Sequence, residues 1–195
     1  WDYPLHSSTD GLTWTNIPLG RNDRDCAGGA IDPTDSNRIY LGCTIRIGVS
    51  QIYVRYSVDG GTSWSEWIPD DPNDATDNVS GDLGNSAIHG VRPVVRVSPV
   101  NSNVLVLAAK KEFDSTAGGV WISTNRGTSW YKRLERNKCA SPVFTSAGDL
   151  FVNCDGDIYR ILSSEITSST ADNFTVVYNG NNFNGGREGI AVDPN

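Results

Sequence analysis

One short pattern returns along the chain and limits what it can fold into. Ser57-Val58-Asp59-Gly60-Gly61-Thr62-Ser63-Trp64 and Ser123-Thr124-Asn125-Arg126-Gly127-Thr128-Ser129-Trp130 both read S-x-[DN]-x-G-T-S-W. A looser copy, Ser7 to Trp14, keeps Ser, Gly and Trp at the same offsets. A fourth, eroded copy ends at Phe174 within Asp172-Asn173-Phe174-Thr175. The aromatic anchors at 14, 64, 130 and 174 are 50, 66 and 44 residues apart. Such self-similarity marks a stack of supersecondary units, none of which buries its apolar face alone.

A second repeat runs in phase with the first. Ile31-Asp32-Pro33-Thr34-Asp35-Ser36-Asn37-Arg38-Ile39-Tyr40-Leu41 parallels Val97-Ser98-Pro99-Val100-Asn101-Ser102-Asn103-Val104-Leu105-Val106-Leu107, and Ala191-Val192-Asp193-Pro194-Asn195 begins a third copy. Pro presets φ for a turn, and Asp, Ser and Asn bond back to the backbone, so each copy is two short strands around a turn. The S-x-[DN] copy is a second hairpin, in which alternating Ile52-Tyr53-Val54-Arg55-Tyr56 precedes the turn and Trp64-Ser65-Glu66-Trp67-Ile68 follows it. Gly61 and Gly127 supply a positive φ there, and the Asp or Asn side chain caps amides. Two hairpins per unit make a four-stranded antiparallel blade, and radially repeated blades make a β-propeller. With strands A to D counted outwards, the blades fall at 27–69, 91–135 and 140–178. Residues 1–18 supply strands C and D of another blade, and 189–195 a strand A.

The motif resembles the Asp box, or bacterial-neuraminidase repeat, of sialidases, xyloglucan-cleaving Asp-box glycoside hydrolases and sortilin-type receptor domains. The resemblance implies an all-β propeller with the box as the C–D turn, away from the active face. Ser57, Asp59, Gly61, Trp64, Ser123, Asn125, Gly127 and Trp130 are then scaffold, with both Trp side chains largely buried. The run Gly185 to Asn195 also looks like a blade entrance of the xyloglucanase family.

The four cysteines, Cys26, Cys43, Cys139 and Cys154, include no CxxC pair, and an even number fits a disulfide framework with three possible connectivities. The blade phase implied by the resemblance sets each pair across one A–B hairpin, hence Cys26–Cys43 and Cys139–Cys154. Two sequons, Asn78-Val79-Ser80 and Asn173-Phe174-Thr175, add to an expectation of a secreted, glycosylated protein. Sixteen basic against 23 acidic residues give a net charge of −7, which disfavours a nucleic-acid partner. No apolar run approaches the length of a membrane span. A chain that starts at Trp1, holds no Met and stops inside a repeated turn reads as an excised piece, an open arc of a larger propeller.

The D-to-A and B-to-C loops of such a fold form its functional face. They hold Arg21, Arg24, Arg46, Arg136 and Arg187, candidates for gripping sugar carboxylates or sulfates, although solvated loops are polar in any case. Asp23, Asp25 and Glu188 are the nearest candidates for the acid and base of a glycoside hydrolase. No motif singles them out. The early Arg-Ile-Pro of sialidases is missing, since Val91-Arg92-Pro93 is no match. The acidic loop Pro69 to Asn78 lacks EF-hand spacing, so no metal and no cofactor are expected. The Ser/Thr-rich run Ser163 to Thr170 reads as a flexible C–D insertion. The expectation is a secreted propeller module that binds carbohydrate or an extracellular protein. Its alternatives are part of an Asp-box hydrolase and a structural subunit that self-assembles.

Overall fold

The computed structural model describes residues 5–8, 10–17, 24–45, 52–67, 93–110, 118–136, 138–167, 172–180 and 190–192. A first hairpin pairs β1 (Leu5–Ser7) with β2 (Thr15–Ile17). The next four strands are β3 (Arg24–Asp32), β4 (Asp35–Ile45), β5 (Ile52–Ser57) and β6 (Ser65–Trp67), each antiparallel to its successor. The same order recurs in β7 (Val94–Val97), β8 (Leu105–Lys110), β9 (Gly118–Ser123) and β10 (Tyr131–Leu134). It recurs again in β11 (Cys139–Phe144), β12 (Leu150–Cys154), β13 (Asp157–Ile161) and β14 (Thr175–Tyr178). The first strands of two successive groups meet in parallel, Gly28 opposite Val94. Four-stranded antiparallel groups joined through their first strands are the blades of a β-propeller.

Blades pack face to face, and this explains why the alternation seen in the sequence ends in burial on both sides. Tyr40, Ile52 and Val54 of the second blade pack with Val95, Leu105, Leu107, Trp121 and Trp130 of the third. The neighbouring residues Leu41, Cys43 and Tyr53 turn the other way, towards Leu5 of the first hairpin. Val106, Ala108, Val120 and Ile122 of the third blade pack with Leu150, Val152, Tyr159 and Ile161 of the fourth. Every residue of β9 is buried, because it lies between two blades. Each fully buried large apolar side chain contributes roughly 1.5–3 kcal/mol relative to its exposed state.

Two features differ from the expectations. The start of the Ser/Thr-rich run is a single helical turn, α1 (Ser163–Ile166), whose Ile166 is buried in the core between the third and fourth blades. Glu165 accepts the Leu162 amide at 3.2 Å and helps to hold that turn in place. Ile190–Val192, part of the expected strand A at 189–195, carries no regular structure.

Candidate functional site

The two disulfides mark the candidate loop face. Cys26 lies directly opposite Cys43 in the β3–β4 ladder, and Cys139 opposite Cys154 in β11–β12, and each pair is bridged. The chain-entropy model assigns roughly 3 kcal/mol to each closed loop of this size.

The described part of this face is clearest on the fourth blade. Asp155 and Gly156 form a two-residue connection between β12 and β13, both with positive φ. Asp-Gly favours that hairpin geometry, and the dipeptide between two apolar runs is a sequence signal for the turn that lies outside both repeats. Lys138, also at positive φ, reaches Asp155 with its Nζ 3.3 Å from a carboxylate oxygen. Beside this pair, Arg136 Nε donates to Tyr159 Oη at 3.0 Å, and Arg136 Nη1 donates to the Glu135 carbonyl at 2.7 Å. The guanidinium lies 5.6 Å above the Tyr159 ring centroid, and Arg136 nonetheless stays exposed. The bond to Tyr159 raises its pKa further above the ordinary value. An arginine held on two sides loses little side-chain entropy when it binds, and its planar fork suits carboxylate or sulfate oxygens.

The remaining candidates are distributed differently. Arg24 and Asp25 are placed by their backbone in β3, opposite Ile45 and Thr44, and their side chains fall outside the description. Arg21, Asp23, Arg46, Asn78, Arg187 and Glu188 lie outside the described residues. Arg136 is therefore the one basic candidate whose side-chain surroundings are defined. Asn173 is half-buried in the segment just before β14, and Thr175 Oγ1 donates to the Arg160 carbonyl at 3.3 Å. Among the described residues no group of three His, Cys, Asp or Glu side chains could hold a metal ion. No helix among them is long and apolar enough to cross a membrane.

The box residues lie in the C–D turns. Ser57 Oγ accepts the amides of Asp59 and Gly61 at 3.3 and 2.8 Å and bonds Asp59 Oδ1 at 2.8 Å. Asp59 Oδ1 and Oδ2 accept the amide and hydroxyl of Ser63 at 2.8 and 2.6 Å. Those bonds, the Ser63 hydroxyl foremost, lower the Asp59 pKa to about 2. Trp64 Nε1 donates to the Gly61 carbonyl at 3.0 Å, and its side chain is partly buried against the core that includes Leu41 and Tyr53. It faces the first hairpin, which among the described residues supplies two strands where the other blades supply four.

In the first box, Ser8 replaces the expected Ser7. Ser8 Oγ accepts the Gly11 amide at 2.8 Å, so this turn is one residue shorter between Ser and Gly. The spacing shared with Ser7 was a coincidence of two adjacent serines.

A polar chain joins the second and third blades near their A–B turns. Arg126 Nη2 donates to Ser102 Oγ at 2.8 Å, and Thr34 Oγ1 lies 3.3 Å from Ser102 Oγ and 2.7 Å from the buried Asp32 Oδ1. Arg126 stands where the other box has Gly60, and both keep positive φ. Both amides donate to the A–B turn of their own blade, Gly60 to the Asn37 carbonyl and Arg126 to the Asn103 carbonyl.

No protein-family model matches this chain, and no curated protein matches it. Among solved structures it is similar to YCF48 bound to D1 peptide, at 14% identity and a TM-score of 0.45, over 86% of this chain and 44% of that one. It is also similar to YCF48 from Cyanidioschyzon merolae, at 14% identity and a TM-score of 0.32, over 84% of this chain and 58% of the other. The chain thus spans about half the length of these structures, and the propeller assignment stands on its own strand order and blade packing.

Proposed function

We propose that this chain is an extracellular, glycosylated propeller module that binds a partner bearing oxyanion groups on its loop face. Arg136 carries the proposal: it is exposed, yet fixed by Tyr159 and the Glu135 carbonyl. The ligand class is an acidic carbohydrate, uronate or sulfated, or an acidic segment of an extracellular protein. Two disulfides are compatible with an oxidising compartment. Arg21, Arg24, Arg46 and Arg187 extend the same face in the proposal, and Asn78 and Asn173 are its glycan acceptors.

The test is a binding screen against sulfated and uronate oligosaccharides and acidic peptides, followed by calorimetric titration of any hit. Arg136→Ala should weaken the best ligand about tenfold, the value of one charge-assisted hydrogen bond, and Arg136→Lys should fail to restore it. Loss of no affinity on either substitution would end this assignment.

A further inference from the structure

The Asp155 carboxylate has a task that its own turn does not require. The two-residue connection needs positive φ at both positions, and Asn-Gly would meet that need as well as Asp-Gly. The Gly156 amide donates to Asn153 Oδ1 at 3.3 Å, so the hairpin is capped without Asp155. The Asp155 carboxylate faces Lys138 Nζ at 3.3 Å instead. Both residues adjoin the Cys139–Cys154 disulfide, one on each strand, and the bridge fixes the backbone beneath the pair. Lys138 adopts φ +51°, a left-handed backbone unusual for a lysine, and such outliers concentrate at binding sites.

Lys138 stands two residues from Arg136, and the two cations are held with different firmness. Arg136 is pinned by Tyr159 and by the Glu135 carbonyl. Lys138 meets a carboxylate whose side chain is 56% exposed. An exposed ion pair of this kind shifts an equilibrium by roughly two- to fivefold. That is too little to lock the fold, and little enough for an incoming anion to replace.

Resting on the oxyanion reading of Arg136, we propose that Asp155 is an internal stand-in for a ligand carboxylate, and that the ligand is an acidic peptide with two neighbouring carboxylates. One carboxylate binds Arg136, and the second displaces Asp155 from Lys138. Asp155 thereby sets the discrimination against a ligand with a single acid. A peptide is favoured over a sugar because the group that occupies Lys138 is itself an aspartate side chain. The Arg136 guanidinium also lies over the ring of Tyr159, the neighbouring aromatic on which a sugar would stack. Acidic side chains two apart on an extended peptide project to the same side, as this pairing requires.

The test is an NMR titration of the ¹⁵N-labelled chain with two capped peptides, Gly-Asp-Gly-Asp-Gly and Gly-Asp-Gly-Asn-Gly. Asp155→Asn keeps the turn, and should tighten the two-acid peptide roughly two- to fivefold more than the one-acid peptide. Asp172→Asn is the control for net charge, since Asp172 also acts on Arg136 through its charge and the amide oxygen can still accept the Phe174 amide. It should move both peptides alike. An equal change for both peptides in Asp155→Asn, or no binding of either peptide, would overturn the proposal. Should Arg136→Ala weaken both peptides while Asp155→Asn changes nothing, the stand-in fails and the oxyanion reading survives. Should Arg136→Ala leave both affinities unchanged, that reading fails with it. A sulfated tetrasaccharide that binds more tightly and shows the same Asp155 response would overturn the choice of a peptide.

Discussion

The turns at 57–64 and 123–130 have the same hydrogen-bond skeleton built from different chemistry. In both, a Ser Oγ accepts the amide of a positive-φ glycine at 2.8 Å, and one Oδ1 accepts the amide four residues on. The second side-chain atom is Asp59 Oδ2 in one turn and Asn125 Nδ2 in the other. Asp59 accepts from the Ser63 hydroxyl, whereas Asn125 donates to the Ser129 hydroxyl at 2.8 Å. A serine hydroxyl rotates to serve either, so the turn requires one acceptor oxygen and tolerates a charge or its absence. What separates the turns is the company they keep. Trp130 is 1% exposed between two four-stranded blades, while Trp64 faces a two-stranded hairpin and stays half-buried.

The comparison breaks most readily at the aromatic anchors. Trp130→Ala should cost about 3–5 kcal/mol in denaturant unfolding, and Trp64→Ala should cost clearly less. Equal losses would mean that the half-burial of Trp64 has no energetic meaning.

A smaller effect is expected at the glycines. Gly127→Ala combines a strained φ with a collision against Trp67, about 2–4 kcal/mol together. Gly11→Ala meets only the strain, about 1–2 kcal/mol, and the difference between the two melting curves isolates the inter-blade contact.

Acid sharpens the distinction between Asp59 and Asn125. The folded-state pKa of Asp59 is lowered to about 2, so its stabilising contribution is complete above the ordinary carboxylate range near 4 and is lost as pH falls through about 2. Asp59→Asn should therefore flatten the acid limb of the stability profile, and Asn125→Asp should steepen it. An unchanged profile in both variants would remove the carboxylate from the account.

The smallest effect belongs to the residue before the second glycine. Arg126→Gly relieves a left-handed backbone worth about 1 kcal/mol and removes the bond to Ser102 worth about as much. Stability should change by no more than about 0.5 kcal/mol, within the usual span of a surface substitution.

By itself the sequence determined the A–B and C–D hairpins of the second and third blades. Both repeats carry their mechanism locally: Pro and Asx residues close the A–B turns, and Ser, Asp or Asn with Gly closes the C–D turn, all within eight residues of chain. The position of Cys26 and Cys43 across one hairpin follows from that same local phase. Which serine serves the first box did not, because Ser7 and Ser8 are equally able acceptors, and only strand register selects Ser8. Nor was the helical turn at Ser163–Ile166 legible. A Ser-rich composition suggests solvent, and Ile166 becomes a core residue only once the third blade lies beside it and Arg133 holds its carbonyl. The pinning of Arg136 depends on Tyr159, 23 residues away and brought close by the β11–β12–β13 ladder. Local turn chemistry acts over a few bonds and is written in order along the chain. Burial, knob-and-socket contacts between blades and the fixing of a charged side chain depend on neighbours that only the packed blades bring together.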